Sequence, residues 1–332
     1  MPPFGWLLCL IAALAGTGWA LRYAHRAQVF DHPEERSNHA QPTPRGGGIA
    51  MVAVMAGVLM WLASVRPSDR LVLLAMLGGL LLVAGIGWLD DHRPLSARLR
   101  LAVHVLAAVL VAIAAACSGW PAWSLVLALV AIPVLVNIWN FMDGTNGIAA
   151  TQAMVWGFAL LLWTPVALAG NVGLALAMAC LGFLPFNFPR ARIFMGDVGS
   201  GALGFLIAGS GLLLAREQGA PALGCLCVLA PFLVDAGLTL LRRIWRRERW
   251  WQAHSQHAYQ RLARIWGSHA KVNGIYLMLA SVGAILGWAL RFRETTVTIS
   301  LILLWYIGMA ALWGSVQYGR QFSKGVGFDS VA

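Results

Sequence analysis

Long uncharged runs, separated by short stretches rich in charge, proline or glycine, dominate this chain. A helix of about 20 predominantly apolar residues crosses the hydrocarbon core of a bilayer. Two of the runs, 101–142 and 144–189, far exceed that length. Each is therefore predicted to fold into two helices, which turn near Gly119-Trp120-Pro121 and near Thr164-Pro165. The pattern predicts eleven spans, near residues 3–21, 47–65, 71–89, 101–118, 123–140, 148–164, 168–186, 198–215, 222–241, 273–290 and 297–315.

The composition agrees with a chain that lies mostly within a membrane. Of 332 residues, 59% are hydrophobic and 11% are charged, whereas about 25% are charged in an ordinary soluble domain. This balance excludes a soluble enzyme, a disordered tail and a disulfide scaffold. We predict an all-α polytopic membrane protein that forms one domain over residues 1–332, because eleven spans leave no room for a separate soluble domain.

The positions of the charges predict the orientation. Arg22 is the first basic residue and follows the first apolar stretch, so the amino terminus is expected on the outer, periplasmic side and the carboxyl terminus in the cytoplasm. Of the 24 Lys and Arg residues, 19 then fall on the inner side, as the positive-inside rule requires. The net charge of +11 thus reflects topology, and no nucleic-acid partner is expected. The predicted cytoplasmic loops lie near 22–46, 90–100, 140–147, 187–197 and 242–272.

Four aspartates stand where an apolar helix has just ended or is about to begin. Asp90 and Asp91 close the third span, Asp143 follows the fifth, and Asp197 precedes the eighth. Carboxylates gathered at one membrane depth repel one another, and a divalent cation relieves that repulsion. Oxygen ligands without a cysteine cluster favour magnesium, or manganese. The alternative is that each aspartate caps a helix or pairs with an arginine.

Two glycine-rich turns accompany these acids. The segment Pro44-Arg45-Gly46-Gly47-Gly48 opens the second span, and a turn from Gly196 to Gly201 opens the eighth. Glycines at a helix start let backbone N–H groups approach a phosphate. The alternative interpretation is close helix packing.

The longest inner loop, 242–272, combines a run of arginines and tryptophans with two histidines. The positive-inside rule and the aromatic belt account for the basic run. His254 and His257 are spaced i, i+3, so they would share one face of a helix. Asp235, within the ninth span, is interpreted as an interior polar partner that could orient this loop.

Taken in order, these residues resemble a known family. The segments are Pro42-Thr-Pro-Arg-Gly-Gly-Gly-Ile-Ala, Leu89-Asp-Asp, Asn137-Ile-Trp-Asn-Phe-Met-Asp-Gly, Ile193-Phe-Met-Gly-Asp-Val-Gly-Ser and the His254/His257 loop. They are similar to those of the polyprenyl-phosphate N-acetylhexosamine-1-phosphate transferases, which form glycosyltransferase family 4, the MraY/WecA superfamily. The eleven-span outline resembles the WecA/WbpL-like branch.

The resemblance implies transfer of a sugar 1-phosphate from a UDP-N-acetylhexosamine to undecaprenyl phosphate at the inner membrane, with release of UMP. It implies that Asp197 is the principal Mg²⁺ ligand, with Asp90 and Asp91 beside the metal and the acceptor phosphate, and it makes Asp91 a candidate base. Asp143, His254 and His257 join Asp90 and Asp91 in the catalytic set. The residues expected to bind substrate are His39, Thr43, Arg45, Asn140, Asn146, Asn187 and Arg192.

Two departures from the peptidoglycan branch bear on the substrate. Asn146 stands where that branch has an aspartate, and His39 stands where it has a lysine. They point away from a muramoyl-pentapeptide substrate, which stays the alternative, and toward initiation of O-antigen or another lipopolysaccharide or surface glycan. A transporter with intramembrane acids would instead need polar groups near the midplane and inverted repeats. The sequence leaves open whether the protein forms a homodimer.

Overall fold

The structure, a computed structural model, describes residues 3–33, 41–249 and 254–319. That part of the chain contains twelve α-helices and one two-stranded sheet. The helices are α1 (Pro3–Ala27), α2 (Ile49–Val65), α3 (Arg70–His92), α4 (Ala97–Cys117), α5 (Ala122–Phe141), α6 (Ile148–Trp163), α7 (Leu168–Asn187), α8 (Asp197–Gln218), α9 (Leu226–Trp245), α10 (Ala258–Trp266), α11 (His269–Leu290) and α12 (Thr295–Tyr318). The strands β1 (Phe30–Asp31) and β2 (Thr43–Pro44) pair in antiparallel orientation.

A helix occupies each segment in which the sequence predicts a span, and the two long uncharged runs divide at the predicted turns. Within the described residues, nine helices are long and apolar enough to cross a membrane, while α2 and α6 are apolar but shorter. The protein is therefore an all-α, multi-pass membrane protein. The eleven-span count and the orientation of the termini stay predictions.

Helix α8 lies at the centre of the bundle, and nearly all of its residues are buried. Its small residues allow this, because they let neighbouring backbones approach closely. A Cβ on Gly204 would lie 2.4 Å from the carbonyl oxygen of Leu135 in α5. Such contacts bring α5 against one side of α8, and α3 packs beside it.

This central packing gathers the polar ends of three helices. Helix α3 ends just after Asp91, α5 ends just before Asp143, and α8 begins at Asp197. Because α3 and α5 both pack on α8 and run opposite to it, their last residues lie beside its first. We call this end of the bundle, with Asp91, Asp143 and Asp197, the acidic end.

Helix α10 was not expected from the hydropathy pattern, because its nine residues are amphipathic and too few for a crossing. It begins at Ala258 and ends at Trp266, and Gly267, the residue that follows, adopts φ +55°. It packs against α9, α11 and α12. The loop predicted over 242–272 therefore contains a short helix that is docked on the bundle.

Candidate active site

A cavity of about 320 Å³ opens at the acidic end. We call it the acidic pocket. Its lining combines the ends of α3, α5 and α8 with residues from the loops around them. The lining residues with charged or hydrogen-bonding side chains are Asp31, Arg45, Asp91, Asn140, Asp143, Thr145, Asn146, Asn187, Asp197, Ser200, His254, Gln260 and His269.

The charge of this lining is strongly unbalanced. Four aspartates face the pocket and Arg45 is the one guanidinium among the lining residues. An anionic ligand entering such a pocket would be repelled unless a cation entered with it. The pocket is therefore suited to a ligand that brings, or meets, positive charge.

Asp91 organises the start of α8. Its carboxylate is buried and accepts hydrogen bonds from the backbone N–H groups of Asp197, at 3.0 Å, and Val198, at 3.2 Å. Arg45 reinforces this arrangement, because its Nη2 donates to the backbone carbonyl of Asp91 and its Nε lies 3.9 Å from Asp91 Oδ1. Asp91 thus fixes where the Asp197 side chain projects.

The expectation that glycine-rich helix starts offer free N–H groups to a phosphate is wrong for both turns. The N–H groups of Gly47 and Gly48 donate to the carbonyls of Phe194 and Met195, and the first N–H groups of α8 donate to Asp91. A Cβ on Gly48 would lie 2.2 Å from Gly199 Cα. The glycines serve close packing, which was the alternative interpretation.

Arg100 of α4 joins two of the aspartates. Its Nη1 donates to Asp90 Oδ2 and to Asp197 Oδ2, both at 2.8 Å. Asp90 also accepts from Leu95 N–H at 2.6 Å, and it is absent from the lining of the acidic pocket. The structure therefore places Asp90 behind Asp197, where it holds Arg100.

Asp143 has a different environment. Within the described residues, its carboxylate has no hydrogen-bond or ion-pair partner. Burial raises its pKa well above the usual carboxylate value, and the charges of Asp197 and Asp91 raise it further. Asp143 is thus the carboxylate of the acidic end that gains most from a bound cation.

The three asparagines predicted to bind substrate all line the pocket, but two also hold the backbone. Asn187 accepts from Gly147 N–H at 2.6 Å and donates to the Ile193 carbonyl at 2.9 Å. Asn146 donates to the carbonyl of Pro189 at 3.0 Å. Asn140 donates to the hydroxyl of Ser200 at 3.2 Å, so it lies directly over the first turn of α8.

The two histidines of the loop are adjacent but do not share a helical face, contrary to the prediction from their spacing. His254 precedes α10 in a non-helical segment, and His257 immediately precedes its first residue. Their ring centroids lie 4.8 Å apart. His254 lines the pocket, whereas His257 is buried behind it. Burial lowers the pKa of His254 to about 3, helped by the charges of His257, Arg243 and Arg242, so this imidazole is neutral near pH 7.

Three predicted substrate-binding residues are not in the pocket or cannot be located. Thr43 donates to the Gln41 carbonyl and Arg192 lies over the Phe186 ring, and neither lines the cavity. His39 lies outside the described residues. Conversely, Asp31, Gln260 and His269 line the pocket without having been predicted. Asp31 ends the short strand β1, and Gln260 and His269 lie at helix starts; hydropathy alone does not place any of them.

A second, larger cavity of about 1300 Å³ adjoins the acidic pocket. We call it the apolar cavity. Leu101, Val105 and Val130 line it and are exposed, so this cavity is open and much of its accessible wall is apolar. Asp197 and Asn140 line both cavities. A polar and an apolar compartment therefore meet at these two side chains.

The donor set fits a hard divalent cation. Asp143 and Asp197 offer carboxylate oxygens to the same pocket, with amide and hydroxyl oxygens beside them. Among the described residues, no group of three or more His, Cys, Asp or Glu is arranged to hold a metal. Mg²⁺ does not need such a group, because it keeps water ligands and binds through one or two carboxylates plus substrate phosphates.

Comparison with known proteins identifies the family. A model described as "Glycosyl transferase family 4" matches residues 73–215. The chain is 30% identical to a decaprenyl-phosphate N-acetylglucosaminephosphotransferase of Mycolicibacterium smegmatis, over 84% of this chain and 79% of the relative. The chain belongs to glycosyl transferase family 4. The family resemblance seen in the motifs is thus confirmed.

Two further relatives show the breadth of the match. A probable undecaprenyl-phosphate N-acetylglucosaminyl 1-phosphate transferase of Bacillus subtilis is 27% identical over 91% of this chain and 87% of its own. A phospho-N-acetylmuramoyl-pentapeptide-transferase of Pelodictyon phaeoclathratiforme is 29% identical to this chain, and the match covers 63% of this chain and 69% of that relative. These names describe phosphotransferases. The family 4 match over 73–215 contains Asp90 and the three aspartates of the acidic end.

Proposed function

We propose that this protein transfers N-acetylhexosamine 1-phosphate from a UDP-linked sugar to undecaprenyl phosphate and releases UMP. The observation that carries the proposal is the meeting of the acidic pocket and the apolar cavity at Asp197 and Asn140. A reaction between a charged nucleotide sugar and a membrane lipid needs such a junction, because each substrate must stay in its own solvent until the phosphates meet.

The apolar cavity suits the lipid substrate. Its apolar wall residues are exposed, so a polyprenyl chain could enter from the bilayer while its phosphate stays at the polar end. Arg100 stands at that end, lines the apolar cavity and contacts Asp197. We assign Arg100 to the lipid phosphate, since a guanidinium binds phosphate oxygens with charge-assisted hydrogen bonds.

The acidic pocket suits the nucleotide sugar. Arg45 supplies positive charge toward the diphosphate, and His254 and Gln260 also line the pocket. His254 is neutral there, so it offers hydrogen bonding rather than charge. The names of the relatives favour UDP-N-acetylglucosamine as the first donor to test.

The chemistry is a phosphoryl displacement. An oxygen of the lipid phosphate forms a bond to the sugar-bearing phosphorus, and the bond from that phosphorus to the bridging oxygen breaks. UMP leaves with the bridging oxygen and the electron pair. Asp143 and Asp197 would hold Mg²⁺, which when bound neutralises the diphosphate and polarises it for attack. We assign Asp91 to positioning Asp197, because both of its oxygens already accept backbone N–H groups.

The biological setting follows from the charge pattern and the substrate chemistry. We propose that the acidic end faces the cytoplasm of a bacterial inner membrane, because most of the basic loop residues lie on that side. The product would begin a lipid-linked O-antigen or another surface polysaccharide. Asn146 and His39 favour this role over the muramoyl-pentapeptide reaction.

The test is UMP release by membranes that contain the protein. We expect release only when undecaprenyl phosphate, UDP-N-acetylglucosamine or UDP-N-acetylgalactosamine, and Mg²⁺ are all present, and we expect EDTA to abolish it. Asp197→Asn should remove turnover, while Glu217→Gln, a substitution at the opposite end of α8, should not. Full activity in EDTA would contradict the metal assignment. Uptake of an ion or sugar without UMP release would favour the transporter.

A further inference from the structure

Asp235 is a buried carboxylate that the proposed reaction leaves unused. It lies within the membrane-spanning helix α9, and its exposed fraction is 2%. An ionised group at such a position is costly unless it is paired. The hydrogen-bond partners of Asp235 therefore indicate its structural role.

Those partners lie mainly on α10. The Ala258 N–H donates to Asp235 Oδ1 at 2.8 Å, and the Tyr259 N–H donates to Oδ2 at 3.0 Å. The Tyr276 hydroxyl from α11 donates to Oδ2 at 2.7 Å, and the Thr239 hydroxyl donates to Oδ1 at 3.3 Å. One carboxylate thus caps the positive end of α10 and ties that helix to α9 and α11.

The first turn of α10 carries contacts to the acidic pocket. Gln260 lines the pocket and accepts from the His257 N–H at 3.3 Å. The Tyr259 hydroxyl donates to the Phe141 carbonyl at 3.0 Å. His257 Nδ1 lies 3.7 Å from Asp235 Oδ1, and its ring packs on His254, which lines the pocket. A shift of the turn would move this whole wall.

We propose that Asp235 is a positioning residue that fixes the first turn of α10, holds His254 and Gln260 against the nucleotide sugar, and thereby sets donor affinity. The inference rests on the proposed function, which assigns this wall to the donor. Asp235 does not touch the substrates. Ala236, Gly237 and Leu240 on the same helix line the apolar cavity, but within the described residues the hydrogen bonds of Asp235 to other helices run only to α10 and α11, and Arg100 lies on α4. The effect should therefore fall on the donor and spare the lipid.

The chain offers a matched control for a purely structural effect. Glu217 also caps a helix from a distance, because its carboxylate accepts from the N–H groups of Leu168 and Ala169 at the start of α7. That cap lies at the end of α8 opposite the acidic pocket. Glu217→Gln perturbs the same kind of contact without moving the donor wall.

The experiment measures Asp235→Asn, Glu217→Gln, His254→Ala and the Asp235→Asn/His254→Ala double variant in detergent-purified protein. We expect Asp235→Asn to raise the donor KM by about tenfold to a hundredfold, since misplacement by about 1 Å has effects of that order. The lipid KM should stay as in the wild type. In the His254→Ala background the further effect of Asp235→Asn should shrink, because both changes act on one wall.

Hydrogen–deuterium exchange supplies a readout that does not depend on turnover. Asp235→Asn should speed exchange over residues 254–262 and leave the start of α7 unchanged, and Glu217→Gln should do the reverse. If the wild-type protein releases no UMP, the proposed function fails, but the exchange result still tests whether Asp235 fixes the first turn of α10. Two results would overturn the proposal. One is an equal rise of the donor KM and the lipid KM in Asp235→Asn. The other is a donor KM in the double variant that rises by the full product of the factors seen in the two single variants.

A second variant covers the case in which Asp235→Asn does not fold. Tyr276→Phe removes one hydrogen bond to the same carboxylate and keeps the ring in place. We expect the same selectivity for the donor with a smaller change. A Tyr276→Phe protein with wild-type exchange and KM values, beside an unfolded Asp235→Asn protein, would reduce Asp235 to a purely structural role.

Discussion

Substituting Gly87 by alanine should disable the protein by moving Asp197. Gly87 lies in α3, one turn before Asp91, where α3 crosses the start of α8. A Cβ at this position would lie 2.4 Å from the carbonyl oxygen of Asp197 and 2.7 Å from Val198 N. These are backbone atoms, so no side chain can rotate away to relieve the contact.

The size of the effect follows from these distances. Ordinary contact begins at 3.4 Å, so α3 and α8 must separate by about 1 Å at Asp197. Overpacking of this kind costs about 1–3 kcal/mol of stability. A displacement of about 1 Å at a reacting centre lowers the rate by on the order of 100-fold. The same shift would weaken the hydrogen bonds that Asp91 accepts from the N–H groups at the start of α8.

Gly85 provides the matched control two residues earlier on the same helix. A Cβ there meets nothing within 4 Å, and alanine favours the helix slightly over glycine. UMP release at saturating substrates should fall about 100-fold in Gly87→Ala and stay near wild type in Gly85→Ala. Wild-type turnover in Gly87→Ala, or equal losses in both, would refute the claim that the close approach of α3 and α8 sets the position of Asp197.

Three further predictions test individual groups. Burial raises the pKa of Asp143, so its ionised form opposes folding and stability should fall as pH rises through that pKa. In EDTA, Asp143→Asn should therefore raise the thermal midpoint at pH 8 more than at pH 5, by about 2–4 °C per kcal/mol, and an unchanged midpoint would contradict the electrostatic penalty. With Mg²⁺ present, the same substitution should abolish UMP release. With the pKa of His254 at about 3, the donor KM should not change between pH 6 and 8, and the His254→Gln variant should bind the donor better than the His254→Ala variant. If the donor KM falls on acidification in the wild type but not in the His254 variants, the imidazole is charged and this prediction is wrong. Arg100→Gln should lower kcat/KM for the lipid by about tenfold to a hundredfold, since a hydrogen bond to a charged group is worth about 1.5–3 kcal/mol. Arg100→Lys, which keeps the charge, should lower it less. An equal fall in kcat/KM for the donor would contradict the assignment of Arg100 to the lipid phosphate.

The helices of this fold could be predicted from the sequence because a helix that crosses the bilayer needs about 20 apolar residues. The same constraint divided the runs 101–142 and 144–189 correctly near Pro121 and Pro165. It also placed Asp91, Asp143 and Asp197 at helix ends, and the packing of α3 and α5 on α8 brings those ends together. Helix α10 escaped prediction because nine amphipathic residues carry no comparable length signal.

The roles of single residues were harder to predict, because they depend on contacts between distant segments. Asp90 and Asp91 are neighbours in sequence, yet one holds Arg100 and the other caps α8, since successive helical side chains point about 100° apart. Asp31 and His269 reach the pocket from opposite ends of the chain. The glycines at 47 and 48 could be interpreted as a phosphate loop or as packing positions, and only the hydrogen bonds of their N–H groups decide between the two.

The most direct test of the account follows the transferred phosphorus. A UDP-N-acetylhexosamine labelled with ³²P at the sugar-bearing phosphorus is incubated with the protein, undecaprenyl phosphate and Mg²⁺, and the lipid and aqueous phases are separated. The account predicts that label enters the lipid phase in a one-to-one ratio with unlabelled UMP, and that Asp197→Asn abolishes both. Label that stays in the aqueous phase, or transfer that persists in Asp197→Asn, would contradict a reaction centred where the two cavities meet.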